Sequence, residues 1–389
     1  MQITFWGVRG SMPTPHPRTL KYGGNTSCVE VRTPAGHTII LDCGTGVAHL
    51  GKVLAARTPP EGHKLMVFLT HFHWDHIQGL PFFSPLYDPR NQVFFHCFEA
   101  HGMTTRDALG GLMLNPFFPV DMSVMRGHKN FYTIGEERLQ VFDTEITTRY
   151  LNHPQGCLGY RIDCDDGVFV YATDHEHGNP KYDDGLRELA CGADLLVYDG
   201  QYTPAEYPSH VGWGHSTWEE AAKVARDADV KDTMLFHHDP DHSDLFLDKM
   251  LIEARACHPR LHAAIEGATV TLDRRAVSTT FRTAVEQRQC QRVPLARPMQ
   301  VRLQRIGSDG DGDEVEGTIL SDLSLDGSFF MVDHEWDIGT ELDVEIEVPA
   351  GGEHAASTLR LRGTVARSEK IEDKTGIGVT FRSRGAGAS

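Results

Sequence analysis

Four metal-seeking side chains fall within six positions: His71, His73, Asp75 and His76, in the run His71-Phe72-His73-Trp74-Asp75-His76. The apolar stretch Leu65-Met66-Val67-Phe68-Leu69 comes directly before and reads as a buried strand. A strand would throw His71, His73 and Asp75 to one face, whereas a helix would bring His71 and Asp75 together. A strand that breaks into a turn after His73 would aim all four at a common centre. Imidazole and carboxylate without thiolate suit zinc, manganese or iron. The competing explanation is a surface cluster in a chain with 22 His, but the spacing and the preceding strand both favour a site.

Other candidates sit where apolar runs end. Residues 144–151 read as a strand ending at Asn152-His153-Pro154, and 168–173 as one ending at Asp174. Thr233-Met234-Leu235-Phe236 leads into His237-His238-Asp239-Pro240. Residues 195–198 read as a further strand, followed by Asp199-Gly200. Taken alone, a His or Asp at a strand end is usually a turn or cap residue. Gly212-Trp213-Gly214-His215-Ser216-Thr217 opens a helix from Trp218, with Ser216 or Thr217 as its cap and acidic residues in the first turn. Near the start, 3–5, 28–31 and 38–41 read as strands, the last followed by Asp42-Cys43-Gly44-Thr45-Gly46. The Met-, Phe-, Pro- and Gly-rich segment 102–132 reads equally as a lid or as core packing.

At 389 residues the chain is long enough for two domains, each with its own core. A formal net charge of −17 argues against tight binding to DNA or long RNA, which needs clustered Lys and Arg. It leaves room for a small anion, because a metal or an Arg pair reverses the field locally. The 8 cysteines make no Cys-x-x-Cys pair and mostly lie in apolar runs, so they read as reduced thiols of a cytoplasmic protein. The N-terminus starts a strand at once and no apolar run approaches the roughly 20 residues of a membrane span.

A composition break follows Asp273-Arg274-Arg275, which sets a first domain at 1–275, a linker at 276–286 and a second domain at 287–389. Beyond an acidic hairpin tip at 308–313, the second domain alternates as short strands, an all-β pattern that reads as a small barrel.

The His-x-His-x-Asp-His run resembles the signature of the metallo-β-lactamase superfamily. That resemblance implies an α/β fold, an αββα sandwich with its metals at one edge of the paired sheets. It further implies that His71, His73 and His153 bind one metal, that Asp75, His76 and His237 bind a second, and that Asp174 bridges them. His238, and more weakly His242, are alternatives to His237. Asp42 would orient a metal-binding His without touching metal. Gly214-His215-Ser216-Thr217 resembles the ribonuclease Z and phosphodiesterase branch, in which such a His protonates the leaving oxygen, so His215 is the candidate general acid. Asp75 is the second catalytic candidate, accepting a hydrogen bond from the nucleophile.

The second domain resembles PilZ, a receptor for cyclic di-GMP, through Arg288-x-x-x-Arg292, then Asp322-x-Ser324-x-x-Gly327, with Gly376-Ile377-Gly378-Val379-Thr380-Phe381 as its last strand. Arg288 and Arg292 suit phosphates and guanine faces, Asp322 a guanine edge and Ser324 a further ligand edge, while Gly327 permits close backbone approach.

The expectation is therefore a two-metal phosphodiesterase acting on a small nucleotide-like diester. Its cofactors would be two divalent ions, zinc first, with manganese or iron as alternatives. Cyclic di-GMP would be its regulatory ligand and a homodimer its assembly. The rivals are a thioester or lactam hydrolase of the same fold, a nuclease for long RNA, and a non-catalytic cyclic di-GMP adaptor.

Overall fold

Runs that alternate between two buried faces build two facing sheets. In this computed structural model the described residues are 1–274, 280–282, 293–305, 315–323, 327–332, 336–348, 357–371 and 374–381. The chain divides into two units, Met1–Ala284 and Val285–Ser389.

The first unit begins with β1 (Gln2–Gly7), β2 (Cys28–Arg32), β3 (Thr38–Leu41), β4 (Lys64–Phe68), β5 (Gln92–Cys97) and β6 (His128–Thr133). A second sheet follows: β7 (Arg138–Val141), β8 (Thr144–Leu151), β9 (Cys157–Cys164), β10 (Gly167–Ala172), β11 (Leu195–Asp199), β12 (Asp232–Phe236) and β13 (Leu261–Ala263). The chain then returns to the first sheet with β14 (Thr269–Thr271) and β15 (Thr280–Arg282). The orders are β15-β14-β1-β2-β3-β4-β5-β6 and β13-β12-β11-β10-β9-β8-β7. β15 pairs with β14 and lies inside the stretch read from sequence as a linker.

Strands β3 to β6 and β10 to β13 run parallel, which requires crossover connections. The helices are α1 (Val47–Ala56), α2 (Trp74–Ile77), α3 (Thr105–Gly111), α4 (Pro180–Ala190), α5 (Trp218–Asp227) and α6 (Asp244–Cys257). Period-two alternation decides which face meets which layer. On β10 and β11, Phe169, Tyr171, Leu195 and Val197 point into the core between the sheets. Their neighbours Val168, Val170, Leu196 and Tyr198 pack beneath Leu186, Trp218, Ala221 and Leu247 of the helical layer. The result is an αββα sandwich.

The register explains where chemistry collects. Ala172 pairs with Tyr198, and Tyr198 with Leu235, so the residues just past these strands emerge at one edge. There Asp42, Asp174 and His237 take left-handed backbone angles, with φ of 62°, 56° and 60°. Non-glycine residues adopt that region rarely, and it recurs where a functional site holds the chain in a sharp turn.

The second unit is all-β: β16 (Val293–Arg305), β17 (Val315–Leu323), β18 (Gly327–Val332), β19 (Glu341–Val348), β20 (Ser357–Ile371) and β21 (Lys374–Phe381). They pair antiparallel in the order β17-β16-β19-β20-β21-β18. The two end strands, β17 and β18, lie side by side, so the sheet curls towards the closure of a barrel. Its core is Val301, Leu303, Phe330, Val332, Trp336, Leu342, Val344 and Ile346, joined by Val365 and Val379.

Candidate metal centre

Each side chain of the centre reaches it from the end of a strand. His71 and His73 follow β4, and Asp75 and His76 lie on α2. His153 follows β8, Asp174 follows β10 and His237 follows β12. Their ligand atoms form overlapping groups, among them His71, His73 and His153, and Asp75, His76 and His237; Asp174 joins His71 and His76 in a third, and Asp199, His215 and His237 in a fourth. His153 Nε2 lies 3.1 Å from His73 Nδ1. In the other group, His76 Nε2 lies 3.3 Å from both His237 Nε2 and Asp75 Oδ2. His237 Nε2 is 3.0 Å from Asp75 Oδ2.

Asp174 stands between the groups. Its carboxylate is 3.3 Å from His76 Nε2, 3.4 Å from His237 Nε2, and 3.8 Å from both His71 Nε2 and His153 Nε2.

The outer nitrogens are held by acceptors, so the inner ones face the centre and can bind once the ring is neutral. His76 Nδ1 lies 2.8 Å from Asp42 Oδ2, His237 Nδ1 2.8 Å from Gln201 Oε1, and His153 Nδ1 2.8 Å from the Gly214 carbonyl. His71 Nδ1 lies 3.0 Å from Thr70 Oγ1, which itself donates to Asp42. A ring that donates outward through Nδ1 presents a bare Nε2 lone pair inward. His71 Nε2 is buried and without a hydrogen-bond partner. Two tetrahedral zinc–nitrogen bonds of about 2.0–2.1 Å place their nitrogens about 3.3 Å apart, which matches the separations here. The donor set therefore fits the divalent ions that this fold implies.

The two groups differ electrostatically. Burial pushes His71 well below the ordinary imidazole range, aided by the neighbouring His76. Burial also brings His153 down to about 4, against the pull of Asp174. In the second group burial acts the same way, but carboxylates overcome it. Asp174 and Asp75 raise His76 well above its ordinary value and His237 to about 9. Asp75 is held well below the carboxylate range by His76 and His237 in spite of its burial, and it also accepts a 2.8 Å bond from the Ser11 N–H.

Backbone packs tightly against both groups. A Cβ on Gly10 would lie 2.3 Å from His237 Nδ1, and one on Gly214, at φ +91°, 2.3 Å from His153 Nδ1. Neither position has room for a side chain.

His215 stacks on His237 with ring centroids 4.7 Å apart, and its Nδ1 lies 2.8 Å from Asp199 Oδ2. His238 and His242 do not join the cluster: His238 Nε2 bonds the Ala264 carbonyl, and His242 Nε2 bonds Glu206. The alternation that left His237 and His238 open is resolved by His237 facing inward. Segment 102–132 packs in part into the core. Leu109, Met113 and Met125 are buried in the core, while Leu114 and Phe117 are 55% and 86% exposed.

Sequence reasoning missed three partners: Asp199, Gln201 and Glu176. Asp199 accepts from His215, from the Asp174 N–H and from the Ser216 N–H. Gln201 holds His237 from 36 residues away, and Glu176 holds Gly214 from 38 away. Only Asp199 left a signal, as an acidic residue ending an apolar run beside Asp174's strand.

For the second unit, Arg288, Arg292, Ser324 and the acidic tip at 308–313 lie outside the described residues. Asp322 lies on β17 opposite Pro294, and Gly327 opens β18 opposite Thr380.

Residues 37–238 match the family described as the beta-lactamase superfamily domain, and residues 286–387 match the PilZ domain. A ribonuclease Z of Bacillus thuringiensis (strain Al Hakam) is 24% identical over 327 residues, spanning 70% of this chain and 100% of the relative. Among solved structures, the metallo-β-lactamase-fold protein YhfI from Bacillus subtilis aligns with TM-score 0.52 at 17% identity, over 69% of this chain and 98% of its own. A diphosphatase of the PhnP family aligns with TM-score 0.50 at 19% identity, over 70% and 98%.

Proposed function

The chain belongs to the beta-lactamase superfamily through residues 37–238 and carries a PilZ domain over 286–387, and from that premise we propose that it is a metal-dependent phosphodiesterase acting on a small nucleotide-like diester under the control of cyclic di-GMP. The observation that carries this reading is the pair of ligand groups joined by Asp174, with the His215–Asp199 pair beside them. The ribonuclease Z relative supports phosphodiester chemistry, and the net charge of −17 favours a small substrate over long RNA.

His71, His73 and His153 would hold one ion, Asp75, His76 and His237 the other, and Asp174 would serve both. Zinc suits this imidazole and carboxylate set, and the same donors serve manganese and iron. When bound, the ions would supply an activated water and stabilise the charge that develops on the phosphoryl oxygens. Asp75 would orient the nucleophile by accepting its hydrogen bond. His215, donating through Nδ1 to Asp199, would as its imidazolium give the Nε2 proton to the departing alkoxide and be left neutral. Cyclic di-GMP would bind through Arg288, Arg292, Asp322, Ser324 and Gly327, a reading supported by the motif spacing and the PilZ match. To regulate, it must bind two states of the chain with different affinity. Among the described residues no helix is long and apolar enough to cross a membrane. The buried cysteines Cys28, Cys43, Cys97 and Cys157 are free thiols, which supports a cytoplasmic setting.

The test is hydrolysis of the dinucleotide TpT, whose alkoxide leaving group needs a proton, by wild type and His215→Ala, each with and without cyclic di-GMP, with metal content measured. Turnover that falls in the variant while metal stays bound, and that changes with cyclic di-GMP, is the expected result. A metal-loaded but inert wild type would instead favour the adaptor.

A further inference from the structure

Glu176 directs its buried carboxylate at backbone and not at the metal cluster. It accepts from the Gly212 N–H at 2.6 Å, the Gly214 N–H at 2.8 Å and the Tyr207 hydroxyl at 3.1 Å. Its own backbone is anchored on both sides by Asn152: the Glu176 N–H donates to the Asn152 carbonyl, and the Asn152 side chain donates to the Glu176 carbonyl. Asn152 adjoins His153, and Glu176 lies two residues beyond Asp174. The clamp thus stands on the same turns that supply two of the candidate ligands.

What it clamps is the segment that delivers His215. On the near side of His215, Glu176 fixes the Gly214 N–H. On the far side, Asp199 fixes the Ser216 N–H at 3.2 Å and takes the His215 ring at 2.8 Å. Two carboxylates, one in the turn beyond β10 and one closing the neighbouring parallel strand β11, therefore bracket one histidine. The Gly214 carbonyl in turn receives His153 Nδ1. Without Glu176, Gly214 would hold its left-handed conformation with a buried, unsatisfied N–H.

We propose that Glu176 is a positioning residue for His215, clamping the 207–214 segment so that the imidazole meets the leaving oxygen. The inference rests on the reading of His215 as general acid. General acid help matters for an alkoxide leaving group and little for p-nitrophenolate, which departs without a proton. Turnover of two diesters by the full chain separates positioning from mere support of the fold: the dinucleotide TpT and bis(p-nitrophenyl) phosphate. Glu176→Gln retains the size of the side chain but turns an amide donor towards the backbone N–H groups.

With metal content unchanged, kcat for TpT should fall on the order of 100-fold, the lower end of a general acid's contribution, while that for bis(p-nitrophenyl) phosphate changes little. Tyr207→Phe removes one of the three bonds and should shift the same ratio less, in the same direction; it carries the test if Glu176→Gln fails to fold or to hold metal. Equal losses on both substrates would overturn the inference. His215→Ala is the control: if it lowers both substrates equally, the acid reading fails, whereas if it is selective and both clamp variants are not, only the positioning role fails.

Discussion

The two halves of the candidate metal centre lie on either side of one carboxylate, Asp174, and differ in almost everything else. His71, His73 and His153 form an all-imidazole group in which burial keeps the rings neutral. Asp75, His76 and His237 form a mixed group in which carboxylates draw protons onto the imidazoles. The first half is ready for a cation as it stands. The second must exchange protons for one, because ligating imidazole has to be neutral. Similar residues at one sheet edge would thus load metal differently, and the difference comes from where Asp75 and Asp174 point.

The strongest way to break this contrast is to remove the group common to both halves. Asp174→Asn should cost both ions and lower phosphodiester turnover on the order of a thousandfold or more, checked by metal analysis alongside bis(p-nitrophenyl) phosphate hydrolysis. Next come variants that separate the halves. His153→Ala and His237→Ala should each lose about one equivalent of metal, and a variant that loses both or neither would show that the halves are not independent. A smaller effect is expected from the outer partner of the mixed half. Asp42→Asn keeps the shape but weakens the acceptor for His76 directly and for His71 only through Thr70, so metal affinity should drop about 10–100-fold in the mixed half and less in the all-imidazole half.

The smallest effect concerns pH in the metal-stripped chain, where the halves should pull in opposite directions. His237, raised to about 9 by carboxylates that outweigh its burial, contributes stability that is fully present below its unfolded value of about 6.5. That contribution is lost as pH rises through about 9. His153, lowered to about 4, favours folding above about 6.5 and loses that contribution as pH falls towards about 4. Melting curves of His237→Ala and His153→Ala against the stripped wild type should differ in slope on the alkaline and acidic limbs respectively. The same sign of change in both variants would refute the electrostatic contrast.

The two halves were also unequally legible in the sequence. His71, His73, Asp75 and His76 could be read together because one strand end and one short helix present them within six residues. His153, Asp174 and His237 each stand alone at a strand end, where a turn or cap role is equally consistent with the residue type. Only the family resemblance singled them out, and only three-dimensional packing turns His237 inward and His238 towards Ala264. The individual strands were visible as apolar runs, since burial on both faces leaves them almost continuously hydrophobic, whereas the αββα order came from the family resemblance. Glu176 and Gln201 left none. Their work is to accept hydrogen bonds from groups dozens of residues away, and such a role imposes no pattern on neighbouring positions.

The most direct test of the account is a metal titration of the chelator-stripped full-length chain, with bis(p-nitrophenyl) phosphate turnover read at each step. The account predicts negligible turnover without metal and a plateau near two equivalents of zinc per chain. Full loading at two equivalents with no turnover would contradict it.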